Sequence, residues 1–339
     1  MTPMNLLKAM NDLDEDLIAE VTQPVPERNR KRISRPVLVA AVLIAGILLI
    51  TACTAMGGAG WFLQYFSDIA PGKLSTQQVE YIVANTRDVN KSQTVNGYTL
   101  ILQSVFSDGR DILIQFELTA PGGKILDADS YSDIRGTILE SEAMPSAMSM
   151  EWSCQDDDRT DNRVKLLHSI NTAWNNETPF SEQNCRLYVY GLEAVWRERM
   201  DVRTEVLTEG CWSFDIHFPE DCNRSIAFVQ EPVPITRQVT VGYEKTGENT
   251  MMAVTELQEG QITSLNLWAL GAELSFHFGE KPQNAEFGDL FAVMKNGEKI
   301  TLNQSFGAPD FITYKVETPI ILDHVDHLLL EDGTQFPVP

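Results

Sequence analysis

The run Gly97–Leu118, GYTLILQSVFSDGRDILIQFEL, decides the fold class. Tyr98, Leu100, Leu102 and Phe106 alternate with more polar neighbours, although Ile101 is apolar too. Asp108-Gly109 supplies a turn. Beyond it Ile112, Ile114, Phe116 and Leu118 recur at every second position, with Gln115 and Glu117 between them. A period of two belongs to a strand with one buried face, because successive side chains leave a sheet on opposite sides. Two such runs around a Gly-containing turn predict a half-buried antiparallel hairpin.

Downstream the same pattern recurs. Strand-like runs follow in SAMSMEWSC, RVKLLHSI, CRLYVYGLEAVW and CWSFDIHF, and then in SIAFVQ, ITRQVTVGY, MMAVTEL, ITSLNLWAL and AELSFHF. DLFAVMK and EKITLNQ flank Asn296-Gly297, and the chain closes with FITYKVE, HVDHLLLE and TQFPVP. Many short strands with regular turns and few helices predict a mainly β protein built of antiparallel, immunoglobulin-like β-sandwiches. Two are expected, at residues 91–222 and 223–339, with the boundary near Cys222 in a turn-rich segment; one larger sandwich is the alternative.

Upstream the period changes. LSTQQVEYIVANT, residues 74–86, reads as a helix that Ser75 can cap, with Val79, Ile82 and Val83 on one face, inside a membrane-proximal segment at 61–90. Before it, no residue from Val37 to Leu63 is charged. A bilayer core needs about 20 apolar residues in a helix, so a single transmembrane helix is expected at 36–60. Arg28, Arg30, Lys31, Arg32 and Arg35 precede it, whereas the first basic residue after it is Lys73. The positive-inside rule therefore puts the N-terminus in the cytoplasm and the C-terminal body outside. Trp61, Phe62, Tyr65 and Phe66 fall where an aromatic belt would meet the outer interface.

The end of the apolar run, Ile50-Thr51-Ala52-Cys53, also matches the residue types before a lipid-modified cysteine. Cleavage before Cys53 would make the chain a lipid-anchored surface module. A signal peptide has a short basic start, whereas here more than thirty residues precede the apolar run, and an apolar, aromatic stretch follows Cys53. Both features favour a retained span. Under either topology membrane lipid is a partner and the body lies outside.

Residues 1–35 read as short amphipathic helices and a Pro-containing basic linker. Leu6, Met10, Leu13 and Leu17 recur at helical spacing, and so short a segment cannot bury them alone. They are the candidate partner-binding face.

The net charge of −22 lies wholly beyond the apolar run, since acids and bases balance before Pro36. Such a body repels phosphate and shows no basic patch, which argues against nucleic acid. Cys154, Cys185, Cys211 and Cys222 allow up to two disulfides outside the membrane, with Cys211–Cys222 the first candidate pair. No Cys-x-x-Cys spacing supports zinc.

Chemistry-bearing motifs are sparse. His324 and His327 stand three apart in a strand pattern, where they would point to opposite faces. Asp127, Asp129 and Asp133 resemble part of a calcium loop without its Gly and terminal Glu. QDDDRTDN, residues 155–162, reads as an acidic solvated loop. No nucleophile elbow, zinc-protease motif, phosphate loop or dinucleotide fingerprint occurs. A binding protein without a cofactor is expected, not an enzyme.

The segments NLLKAMNDLDEDLIAEV, VNGYTLILQSVFSDGRDILIQFEL and TPIILDHVDHLLLEDGTQFPVP, with the basic flank and span between, resemble Gram-positive single-pass proteins carrying domain of unknown function 4179. Members are regarded as anti-sigma-factor-like. The resemblance implies a cytoplasmic segment that binds a sigma factor, joined to an extracellular sensor with a ligand of its own. Zinc-type anti-sigma domains carry a His and a Cys-x-x-Cys pair; residues 1–35 contain neither His nor Cys. The implied contact would therefore use Leu6, Met10, Leu13 and Leu17.

Overall fold

The computed structural model describes residues 58–70, 72–141, 147–154, 159–171, 184–198, 201–218, 224–246, 251–279, 284–285 and 287–339. Two helices, α1 (Gly58–Ile69) and α2 (Thr76–Asn85), lead into two antiparallel sheets. The first is built of β1 (Thr86–Val95), β2 (Tyr98–Ser107), β3 (Asp111–Thr119), β4 (Ser130–Ser141), β5 (Ala147–Cys154), β6 (Arg163–Asn171), β7 (Asn184–Glu198) and β8 (Asp201–His217). The second is built of β9 (Ser225–Ala227), β10 (Val233–Lys245), β11 (Met251–Trp268), β12 (Gly271–Phe278), β13 (Asn284–Ala285), β14 (Leu290–Met294), β15 (Lys299–Gly307), β16 (Phe311–Lys315), β17 (Val325–Leu330) and β18 (Gln335–Pro337).

Strands of the first sheet run in the order β1-β2-β3-β6-β5-β4-β7-β8, so hydrogen bonding is continuous through all eight. The sheet curls until its two edge strands meet through side chains. Gln93 on β1 accepts from the Ser213 amide of β8 at 2.9 Å and donates to the Ser213 carbonyl. Lys91 Nζ donates to the Asp215 carbonyl at 2.8 Å, and Asn96 Nδ2 donates to that of Glu209 at 2.6 Å. These side chains supply what an eighth, closing ladder would have supplied. Inside lies a core that includes Leu100, Phe116, Trp152, Trp212 and Phe214, with Trp152 stacked on Phe116 at 4.9 Å.

The second sheet runs β13-β10-β11-β12-β16-β15-β14-β17-β18, with β9 on β11. Strand β15 turns its corner. Its first residues pair with β14 and its last with β16. Leu265, Leu274, Tyr314 and Leu328 are fully buried in its core.

The opening hairpin departs from strict alternation. Its register shifts between Leu102 and Ser104, a β-bulge. Tyr98, Leu100 and Leu102 keep the first core, whereas Phe106 joins a separate apolar cluster. On β3, Ile112, Ile114, Phe116 and Leu118 face the first core as read from sequence. The strand is nevertheless buried on much of both sides. Leu113 joins the separate cluster, and Gln115 is buried as it accepts from Ser104 Oγ at 2.8 Å.

That second face is covered by α1 and α2. Phe62 and Phe66, one helical turn apart on α1, are buried against Phe106, as is Ile82 of α2 in the same cluster. This corrects the aromatic-belt reading for the two phenylalanines, because the face that carries them meets protein. Trp61 and Tyr65 are half-buried and stacked at 5.7 Å. Ser75 caps α2 with a capping box, as its residue type predicts. Among the described residues no helix is long and apolar enough to cross a membrane. The expected span before Gly58 lies outside the described residues. So do the candidate partner-binding face Leu6, Met10, Leu13 and Leu17, the basic flank Arg28 to Arg35, Cys53 and Cys222.

Strand β1 and the first half of β8 carry mostly polar, exposed residues, so no apolar period marks them in sequence.

Candidate functional site

Two tight turns meet where the sheets meet. The β2–β3 turn, Ser107 to Asp111, projects from the first sheet. Gly109 has φ +92°, a left-handed conformation that glycine adopts without strain. The β11–β12 turn is Ala269-Leu270, closed by the pairing of Trp268 with Gly271. Turns normally lie in water, yet Asp108, Asp111, Trp268, Ala269 and Leu270 are all buried. A Cβ on Gly271 would collide with the Tyr314 carbonyl, so the turn can approach β16 only with glycine there.

Two carboxylates lock the turns together. Asp108 Oδ1 accepts from its own turn, from the Arg110 amide at 3.1 Å and the Asp111 amide at 2.8 Å. Its Oδ2 crosses to the other sheet and accepts from the Leu270 amide at 2.7 Å. Asp111 Oδ2 accepts from Trp268 Nε1 at 2.8 Å, and Oδ1 lies 3.8 Å from Lys315 Nζ. The Arg110 guanidinium stands 6.0 Å from the centroid of the Trp268 ring. Behind the turn, the Val316 amide donates to the Leu270 carbonyl at 3.0 Å and the Ile320 amide to that of Ala269 at 2.8 Å.

Burial governs the charge of this pair. Loss of water pushes the Asp108 carboxyl up to about 7, the neighbouring Asp111 carboxylate adds to the rise, and the three amide donors oppose it. Burial also raises Glu273 on β12, with Arg110 opposing. All four oxygens of the two aspartates point at donors. The arrangement suits a structural latch rather than acid–base catalysis, which needs a carboxyl open to a substrate.

The helices complete the junction. Phe62, Phe66 and Ile82 pack in one cluster with Phe106, Leu113 and Leu167 of the first sheet and Trp268 and Leu270 of the second. On α2, Gln78 Nε2 donates to the Pro319 carbonyl at 2.9 Å, and Gln77 bonds the His324 ring at 3.3 Å. At the start of α1 the Gly58 amide donates to Asp88 Oδ1 on β1, and a side chain at this position would overlap Ser104. The helix is therefore held at its first described residue.

The chain matches no family model and no curated protein. Among solved structures it is similar to the crystal structure of the conserved domain protein from Bacillus anthracis, at 14% identity and a TM-score of 0.40, over 72% of this chain and 76% of that one.

The other residues singled out in the sequence stand apart. Asp127 accepts from Trp196 Nε1 at 3.2 Å, Asp129 pairs with Arg159 at 2.6 Å, and buried Asp133 accepts from Thr137 Oγ1. His324 lies on a 3-10 turn and His327 on β17, where it pairs with Asp326 at 2.9 Å. Among the described residues no group of three or more His, Cys, Asp or Glu side chains could hold a metal ion. Cys154, Cys185 and Cys211 are thiols on β5, β7 and β8. The Cys211–Cys222 pairing falls outside the described residues.

Sequence reading missed the latch. Asp108-Gly109 was legible as a turn, and Trp268 and Leu270 as the end of a strand. The available signal was a second acid, Asp111, at the threshold of an apolar strand, and a turn made of Ala and Leu in place of polar residues.

Proposed function

We propose that this chain is a single-pass membrane regulator with a sensing body outside and a short partner-binding segment inside. The carrying observation is the position of α1. Its first described residue, Gly58, falls within the apolar run, and its Phe62 and Phe66 are buried in the cluster that both sheets share. A change in how the sheets sit against each other must move these side chains, and with them the helix that leads to the span. A flexible tether would transmit nothing. The anchoring of α1 on the body, close to the apolar run, therefore favours a coupled sensor over a lipid-anchored module released before Cys53.

In this reading the two curled sheets act outside the cell as immunoglobulin-like binding modules for an extracellular ligand. The apolar run holds membrane lipid around it. Leu6, Met10, Leu13 and Leu17 dock an amphipathic helix into a groove of a cytoplasmic partner, a sigma factor. The acidic outer body takes no part in nucleic-acid binding.

The test is affinity capture from detergent-solubilised membranes with the full-length chain. Recovery of a sigma factor that fails with Leu13→Asp plus Leu17→Asp supports the reading. If the parent chain recovers none, the sigma-factor part falls. If mature protein begins at Cys53 and labels with palmitate, the retained span falls.

A further inference from the structure

The long β10–β11 hairpin extends beyond its own sheet. Among the described residues no strand lies across β11 before Gly260, where β12 begins to pair, or across β10 beyond Thr240, where β13 begins. The remaining ribbon pairs Gly242 to Lys245 with Met251 to Val254 and has both edges open. Its side chains are also out of character for a solvated arm. Leu257 is 74% exposed, Met251 61%, Met252 58% and Tyr243 54%. A two-stranded ribbon without its own core is marginal in water, and an open edge invites a further strand.

Register places the exposed groups. Residues opposite each other share a face, so Tyr243 lies with Ala253, and alternation adds Met251, Thr255 and Leu257. The bond from Gln238 Nε2 to Thr255 Oγ1 at 2.9 Å fits this assignment. One face thus carries Tyr243, Met251 and Leu257. Glu256 is the one charged residue between Met251 and Leu257, and it lies on the other face with Val254.

We infer that this arm pairs with the same arm of a second copy, β11 edge against β11 edge, about a two-fold axis through Val254. Antiparallel self-pairing is what a two-fold interface requires, since one surface must complement itself. With the axis at Val254, Leu257 of each copy stands opposite Met251 of the other, Thr255 opposite Ala253, and Glu256 opposite Met252. No acid faces an acid directly, which matters in a chain with a net charge of −22. The register brings the two most exposed apolar groups of this face together twice. The inference does not rest on the membrane reading.

A cysteine at the axis tests it. Val254→Cys in the full-length chain, purified in mild detergent and oxidised, should form a disulfide-linked dimer above the level of the parent chain. Val202→Cys, on exposed β8, should not. Adding Leu257→Lys or Met251→Glu singly should lower cross-linking by roughly tenfold, because a charge then meets an apolar group. Adding both should restore it, because the introduced ammonium of one copy then faces the introduced carboxylate of the other. The inference is overturned if Val254→Cys links no better than Val202→Cys, or if the single charges have no effect. It is equally overturned if Leu257→Lys abolishes binding to phosphatidylglycerol–phosphatidylethanolamine vesicles while no dimer forms.

Discussion

Asp108 shows how one side chain can hold two sheets. Its carboxyl accepts two amides within its own turn and one from the other sheet. Its folded pKa of about 7 lies above the ordinary 3.8. Between these values the folded chain binds a proton that the unfolded chain has released. The resulting stabilisation is fully present below the ordinary value and is lost as pH rises through about 7. We expect the melting temperature to rise as pH falls from 8 to 5, and Asp108→Asn to flatten that slope. The amide replacement also turns an N–H toward an N–H, so it should cost about 1–3 kcal/mol in denaturant titration at pH 7. An unchanged slope would locate the pH dependence elsewhere. Trp268→Phe isolates the partner bond. It keeps most of the packed ring and removes the Trp268 Nε1 bond to Asp111 Oδ2, with an expected cost of about 1–3 kcal/mol by urea unfolding.

At the scale of elements, α1 and α2 owe their positions to the sheets they cover. Segment 76–85 carries its own start signal, since Ser75 and Gln78 form a capping box. Ser75→Ala should cost about 1 kcal/mol, read from a urea titration. Phe66→Ala should cost more, about 3–5 kcal/mol, because a fully buried ring leaves a cavity that neighbouring rings cannot fill. The opening hairpin was largely legible, with Ile112, Ile114, Phe116 and Leu118 on the core face as their spacing requires. The bulge after Leu102 was not, because a one-residue shift leaves the local composition unchanged while it moves Phe106 to the other face. Strand β1 and the first half of β8 escaped for a different reason. Both are strands by hydrogen bonding, and solvent on their faces removes the apolar period.

For the whole molecule, two cores and a bridge define the energetics. Each sheet encloses its own apolar cluster, and the third cluster, shared with α1 and α2, joins them. Cooperativity between the sheets must pass through that junction. Calorimetry of the parent chain should show one transition, and Trp268→Ala should split it in two as the shared contacts fail while both cores persist. One unsplit transition in the variant would mean that the sheets are coupled by contacts other than the junction.

Sequence alone determined the mainly β character of the chain, the position of α2 and the order of most strands. These are properties of local period and capping, written within a few residues of where they act. It also singled out the apolar run and the face of Leu6, Met10, Leu13 and Leu17 on which the functional proposal draws. Only the tertiary structure decided that Asp108, Asp111, Trp268 and Leu270 form one site. Asp108 and Leu270 are 162 positions apart in the chain, and no periodicity spans such a distance. A carboxylate in a turn looks solvated until a second turn removes its water, and that loss of water is what makes it a latch.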